Sequence, residues 1–354
     1  MATRVLIMAG GTGGHVYPAL AVARDLIDRG CEVRWMGTRG GLEARVVPAA
    51  AIPIDWLSVS GFRGKGFAGR VAAPLRLMLA CWQAGRILRR FRPDVVLGMG
   101  GFVAGPGGIM AKLFGVPLVV HEQNRIPGTT NRILVRWARE VLEAFPGSFP
   151  SPVGALCVGN PLRADFVASA SDKAPHAGPV HILVVGGSQG AQALNRIVPD
   201  ALARLERPVR VTHQTGPAMR DETEARYRYL GLEARVEAFL DDMADAYARA
   251  DLAICRAGAM TVSELTAMGV PALLVPYPHA IDDHQTHNAR YLSDAGAAVL
   301  LPQTELTPDH LAVTLRSLIE TPERLAEMAR RARALAKLDA TRAVADICLR
   351  EAGA

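Results

Sequence analysis

The strongest constraint on the fold of this chain is a pattern that occurs twice. RVLIMAGGTGGHVYPAL gives a continuous apolar run, a turn with four glycines (Gly10, Gly11, Gly13, Gly14), and then Ala19, Leu20, Ala23, Leu26 and Ile27 at helical spacing, closed by Gly30. HILVVGGSQGAQALNRIV repeats the order, with Ala191, Leu194, Ile197, Val198, Ala201 and Leu202 on its helical stripe. Aligning Gly11 with Gly187 sets the two copies 176 residues apart, about half of the 354-residue chain. EVRWMG, DVVLGMG and PLVVHE follow the first copy; VRVTHQ, RVEAF, DLAICR and PALLVP follow the second. Apolar strands alternating with helical patterns predict parallel sheets covered by helices on both faces. Near Gly159 the periodicity stops, and GNPLRADF and SASDKAPHAGP read as a linker. The expected fold is α/β: two doubly wound Rossmann-like domains, residues 1–160 and 161–337, facing across a cleft at their strand C-termini.

Composition narrows the setting. Half of the residues are hydrophobic, enough for two cores. Five scattered cysteines, none in CxxC spacing, fit a reducing compartment and exclude a zinc ribbon. No basic segment leads into a long apolar core near the N-terminus, so no secretory signal is expected. Residues 95–120 are apolar enough to suggest a membrane span. Seven glycines and two prolines interrupt them, however, and broken backbone is costly in hydrocarbon, so strand, loop, helix and strand are expected there. Net charge is +6, and the stretch from Trp56 to Pro93 holds eight basic residues and no acidic one. That single-sign stretch points to an anionic partner.

A glycine turn between strand and helix lets backbone N–H groups approach an anion at the positive end of the helix. GGTGGHV is not GxGxxG, and no acidic residue ends the next strand to hold a ribose, so a simple dinucleotide site is disfavoured. No phosphate-loop signature GxxxxGK[ST] occurs. A third unit, CRAGAMTVSEL, places Gly258 after a strand and Thr261 to Glu264 in a first helical turn; such a turn suits a diphosphate, and Glu264 suits a sugar diol. The competing reading is that all three loops are ordinary tight turns. Their recurrence at strand C-termini in both halves favours phosphate binding.

GGTGGHVYPAL, GMGGFVAGPGG, VVHEQNRIPGTTNR, AFPGSFP, GNPLR, GGSQGA, FLDDMADAYARADLAICRAGAMTVSEL and DDHQTHNA occur in this order. Together they resemble the bacterial cell-wall glycosyltransferases of family 28, which make lipid II from UDP-N-acetylglucosamine and lipid I. The resemblance runs from about residue 4 to about residue 290 and more weakly to the end. It implies the glycosyltransferase-B fold, an inverting mechanism, no metal and no cofactor. It also implies a C-terminal helix (about 338–354) returning to the first domain, which would bind acceptor and membrane while the second binds the donor. By the same resemblance Ser188, Ala259, Met260, Thr261, Val262 and Ser263 line the donor diphosphate and sugar, Glu264 takes the ribose and Leu240 lies at the uracil. Arg163, Thr12, Gly13 and Gly14 belong to the donor site, and Gln285 and Asn124 contact the N-acetylglucosamine, with Asn124 counted beside His15 as catalytic.

The base is left open. His15 sits at the mouth of the first loop, and an imidazole titrates near neutrality, so it either takes the acceptor proton or hydrogen-bonds a phosphate or caps the helix. His121 is a rival, as is Glu122, which is either base or buried partner of Arg125. HAIDDHQTH offers His284 and His287 beside Asp282 and Asp283, a spacing seen in metal sites, yet Gln285 and Asn288 share the turn and sugar recognition is preferred. PLRLMLACWQAGRILRRF predicts a helix from Pro74 with Leu75, Leu79 and Trp82 on one face, flanked by Arg76, Arg86, Arg89 and Arg90. That ridge suits an anionic bilayer, or it is simply core. The resemblance places the protein peripherally on the cytoplasmic face of the inner membrane and leaves division and elongation proteins open as partners. The basic stretch lacks aromatic interleaving, so no nucleic acid is expected. Two alternatives are another UDP-sugar enzyme on this fold, such as a 2-epimerase or glycolipid synthase, and a silent UDP-sugar-binding scaffold.

Overall fold

The computed structural model describes residues 2–58, 73–170, 178–186 and 191–354. It forms two compact units, Met1–Arg163 with Leu338–Ala354, and Ala164–Lys337. GFRGKGFAG and the GGSQGA residues 187–190, Ser188 among them, lie outside the described residues.

In the first unit β1 (Arg4–Met8), β2 (Glu32–Gly37), β3 (Ile54–Trp56), β4 (Val95–Gly98), β5 (Leu118–Glu122), β6 (Glu140–Glu143) and β7 (Leu156–Cys157) form one sheet. Its order is β3-β2-β1-β4-β5-β6-β7, and every pairing is parallel. Successive side chains of a strand point to opposite faces, so β1 feeds two cores. Val5, Ile7 and Ala9 pack with Val16, Ala23 and Leu26 of the Gly13–Asp28 helix and with Val344, Ile347 and Cys348 of the Ala340–Ala352 helix. Leu6 and Met8 pack on the other face with Ala84, Leu88 and Phe91 of the Ala73–Phe91 helix and with Ala104 and Ala111 of the Ala104–Leu113 helix. The AGPGG run follows from that contact: a Cβ at Gly107 would stand 2.1 Å from the Met8 sulfur. Each fully buried Val, Leu or Ile contributes roughly 1.5–3 kcal/mol.

In the second unit β8 (Val180–Val185), β9 (Val209–Gln214), β10 (Ala234–Glu237), β11 (Leu252–Cys255), β12 (Ala272–Leu274) and β13 (Ala298–Leu300) form a parallel sheet of order β10-β9-β8-β11-β12-β13. Its core joins Ile182, Val184 and Ile254 to Leu194 and Val198 of the Gln192–Leu202 helix and Leu311 and Leu315 of the Pro308–Ile319 helix. Both sheets reverse direction of winding beside their first strand, between β1 and β4 and between β8 and β11. Such switch points are where doubly wound sheets leave a crevice at the strand C-termini, and the described glycine turns after β1, β4 and β11 lie at those strand ends. Residues 95–120 are β4, loop, the Ala104–Leu113 helix and β5, as their glycines and prolines require. Among the described residues no helix is long and apolar enough to cross a membrane.

Candidate active site

The first loop is built on a buried carboxylate. Glu43 is fully buried and accepts from the Gly11 N–H at 2.9 Å, the Thr38 N–H at 2.9 Å and the Thr38 hydroxyl at 2.7 Å. It therefore ties the turn after β1 to the turn after β2. Glu43, Gly10 and Gly11 line a cavity of about 460 Å³ with Arg39, Trp56 and Phe102, and the Arg39 guanidinium lies 5.1 Å over the Trp56 ring. Thr12 begins the helix with no side-chain cap, so the amides of Gly13 and Gly14 precede its first bonds, from His15 N–H and Val16 N–H to Thr12 C=O.

His15 is half-buried on the first turn of that helix. Its Nδ1 lies 2.7 Å from Gln123 Oε1. The Gln123 amide nitrogen is 3.0 Å from both His121 Nδ1 and the His121 carbonyl oxygen. His121 Nε2 in turn lies 2.9 Å from the Gly159 carbonyl oxygen. Complete burial holds the His121 pKa down at about 4, so this imidazole is neutral at physiological pH. Of the two rivals to His15, His121 thus has both ring nitrogens engaged. Glu122 is 1% exposed and accepts from Asn124 N–H at 2.9 Å, Gly128 N–H at 3.0 Å and Asn131 Nδ2 at 2.9 Å. These bonds fold the HEQN loop around Asn124. Two other motifs support that loop: Ser148 Oγ donates to Asn124 C=O at 3.1 Å, and Asn160 Nδ2 donates to Gln123 C=O at 3.1 Å. Glu143, buried, accepts from Gly147 N–H and Phe149 N–H and closes the AFPGSFP turn.

In the second unit β11 runs into Gly258, which begins the Ala259–Met268 helix. Gly258 has no side chain to cap it, and the first helical bond comes from Val262 N–H to Gly258 C=O, so the amides of Met260 and Thr261 precede the ladder. A helix start of this kind concentrates about half a positive charge. Ser263 is buried in the first turn of this helix, and its hydroxyl donates back to Ala259 C=O at 3.1 Å. Glu264 lies half-exposed beside the Tyr247 phenol; burial, together with that carboxylate, holds the phenol well above its usual pKa. Leu240 is half-buried just after β10. Gln285 Oε1 accepts from Tyr277 N–H at 2.9 Å, and buried Asn288 donates to Ala257 C=O at 3.1 Å, tying the DDHQTHN turn to the CRAGA loop. Asp282 and Asp283, just before, both have positive φ, 53° and 50°. His284 Nδ1 is 2.7 Å from Ile281 C=O, and among the described residues no group of three or more His, Cys, Asp or Glu converges. Cys255, at the end of β11, is buried, and its pKa is pushed up to about 12, which keeps the thiol protonated. Arg163 ends the first of the two segments that make up the first unit.

Glu43, Gln123, Tyr247 and Asn160 join the site only through the fold, whereas Asn288 stands beside Gln285 in the sequence as well. Gln123, Asn160 and Asn288 lie inside quoted motifs, but Glu43 carries no signal of spacing or composition.

Two Rossmann-order parallel sheets, with a bare helix N-terminus at one switch point and an imidazole at the other, make up the glycosyltransferase-B fold. Residues 5–143 match the glycosyltransferase family 28 N-terminal domain and residues 181–346 its C-terminal domain. The chain belongs to glycosyltransferase family 28. It is 63% identical over 355 residues, covering all of both chains, to the UDP-N-acetylglucosamine–N-acetylmuramyl-(pentapeptide) pyrophosphoryl-undecaprenol N-acetylglucosamine transferase of Methylococcus capsulatus. It superimposes on the crystal structure of Acinetobacter baumannii MurG with TM-score 0.88 and 42% identity, covering 98% of this chain and 99% of that one. A UDP-N-acetylglucosamine 2-epimerase superimposes with TM-score 0.68 at 13% identity, over 100% and 97% of the two chains, a likeness of fold alone.

Proposed function

We propose that this chain transfers N-acetylglucosamine from UDP-N-acetylglucosamine to the C4 hydroxyl of lipid I, undecaprenyl-pyrophosphoryl-N-acetylmuramoyl-pentapeptide, with inversion, to form lipid II. The observation that carries this reading is end-to-end identity of 63% with a relative whose name states that transfer. In this reading the donor diphosphate lies on the amides of Met260 and Thr261, with Glu264 on the ribose. As the acceptor O4 attacks the sugar C1, the bond from C1 to the diphosphate oxygen breaks and the departing UDP takes the charge. The helix start at Gly258 stabilises that charge without reorganisation, because its dipoles are fixed by the fold. His15 takes the O4 proton; a positioned base contributes about 10²–10⁴ in rate. Arg163, Gln285, Asn124, Leu240 and the amides of Thr12, Gly13 and Gly14 complete the substrate contacts.

The same reading puts the protein on the cytoplasmic face of the inner membrane, where lipid I is anchored. Its support is the outer face of the Ala73–Phe91 helix: Leu75 is 66% exposed, Trp82 58% and Leu79 45%, with Arg76 beside them. Arg86 stacks 5.0 Å over the exposed Trp82, and Arg89 lies 5.0 Å over Phe114. Each basic residue near an anionic leaflet adds about 1 kcal/mol.

Incubation with UDP-[14C]N-acetylglucosamine and a short-chain lipid I analogue tests the assignment. Labelled disaccharide-lipid is expected, with turnover retained in EDTA because the helix start carries the leaving-group charge. Absence of product, or conversion of the nucleotide sugar to its 2-epimer without acceptor, overturns the assignment; turnover abolished by EDTA overturns the helix-dipole account.

A further inference from the structure

The contacts of His15 fix which of its nitrogens carries a proton. Two backbone carbonyls, which can only accept, set the direction of every bond in the series. Gln123 places its amide nitrogen 3.0 Å from the His121 carbonyl oxygen, so its NH₂ faces His121 and its oxygen faces His15. The Gly159 carbonyl, 2.9 Å from His121 Nε2, requires a proton on that nitrogen. Burial keeps His121 neutral, so its Nδ1 bears a lone pair and accepts from the Gln123 amide at 3.0 Å. The one remaining contact, Gln123 Oε1 at 2.7 Å from His15 Nδ1, then demands that His15 Nδ1 be the donor. Gly100 leaves room for this ring position: a Cβ there would come within 2.9 Å of both Nδ1 and Cε1 of His15.

We infer that Gln123 and His121 form a hydrogen-bond relay, from His15 Nδ1–H to Gly159 C=O, that holds His15 in the tautomer whose Nε2 is unprotonated and ready to accept. Gln123 and His121 are positioning residues: Gln123 touches the base and His121 touches Gln123, and neither touches the reacting atoms. The inference rests on the reading of His15 as the base given above. Free imidazole favours the opposite tautomer, so a base presented through Nε2 needs such a partner on Nδ1. A buried carboxylate serves that purpose in other enzymes; here a neutral amide does, oriented by a second histidine. The other titratable groups on the surrounding elements are His121 itself, Glu122 and Glu43, whose bonds are described above, and Arg125, two residues beyond Gln123.

Two-bond ¹H–¹⁵N correlation spectra of histidine-labelled protein at alkaline pH test the tautomer directly, with a His15→Asn variant assigning the signal. Expected is a pyrrole-type Nδ1 and a pyridine-type Nε2 for His15, and the reverse pattern for His121. A protonated His15 Nε2 overturns the relay whether or not the enzyme turns over, so this arm does not depend on the assigned reaction. In Gln123→Leu the His15 signal shifts toward the Nε2–H form and kcat falls about 10- to 100-fold, part of what a positioned base supplies, while KM for the nucleotide sugar stays within about twofold. Gln123→Glu keeps an oxygen opposite Nδ1, retains more activity than the leucine variant, and moves the acid limb of kcat/KM to higher pH by about a unit, because a carboxylate favours the imidazolium. Unchanged kcat and pH profile in both variants, with the tautomer as expected, overturns the positioning role.

Discussion

Three buried glutamates carry much of the order in the first unit, and each does so in the same way. Glu122 and Glu143 end strands and Glu43 begins the helix that follows β2, and all three accept from backbone N–H groups of glycine-bearing turns. A carboxylate offers about four lone pairs, so one side chain satisfies several donors that a sharp loop cannot pair within itself. Each buried donor left without a partner costs about 1–3 kcal/mol. Glu43→Ala, which orphans Gly11 N–H, Thr38 N–H and the Thr38 hydroxyl, is expected to lower unfolding stability by several kcal/mol in urea titration. Glu43→Gln, which keeps one accepting oxygen, is expected to lose less than half as much. Equal stability of Glu43→Ala and the parent would remove Glu43 from the architecture of the loop. None of this is legible in GGLEARV, where no spacing or composition marks the glutamate. The buried side of the second unit shows the complementary case. His213 Nε2 lies 3.1 Å from Asn195 Oδ1 and its Nδ1 3.0 Å from the Tyr227 hydroxyl; burial lowers its pKa to about 3, and the group is a satisfied core histidine.

At the scale of elements, periodicity reveals the helices and leaves their faces undecided. The Ala73–Phe91 helix has two apolar stripes. Ala80, Ala84, Ile87, Leu88 and Phe91 are buried against β1 and β4, whereas Leu75, Met78, Leu79 and Trp82 are exposed. Both stripes obey helical spacing, so only the sheet beneath settles which is core. Replacing Leu75, Leu79 and Trp82 together with serine removes exposed apolar surface and leaves the inner stripe intact. Co-sedimentation with phosphatidylglycerol vesicles is expected to fall at least tenfold, while thermal stability and turnover of a soluble acceptor change little. Unaltered vesicle binding would show that membrane contact lies elsewhere. The glycine-rich segments teach the same lesson: those after β1 and β11 open onto helix starts, whereas Gly107 in GGFVAGPGG serves packing against Met8.

At the scale of the molecule, the chain finishes in the unit where it began. Val344, Ala345, Ile347 and Cys348 are buried against the Gly13–Asp28 helix, Thr341 Oγ1 donates to Leu162 C=O at 3.0 Å, and Arg350 pairs with Glu140 at 2.6 Å. The second unit, Ala164–Lys337, is continuous in sequence and the first is not. A chain ending at Lys337 therefore exposes one face of the first core. Calorimetry is expected to show a lowered or lost transition for the first unit and little change in that of the second. A chain so shortened with both transitions unmoved would mean that the tail adds nothing to the first core.

What the sequence determined by itself is whatever short-range chemistry encodes. Strand and helix periods, turns that need glycine, and helix starts without side-chain caps all follow from a few adjacent residues, and the doubled pattern carried them to two doubly wound sheets. What only the tertiary structure decided is which polar groups meet. His15 and Gln123 stand 108 positions apart and become neighbours because β5 lies one strand from β4, which itself pairs with β1. Hydrogen bonds are directional and short, so the donors and acceptors around an imidazole are fixed only when strand order has brought their backbones within a few ångströms.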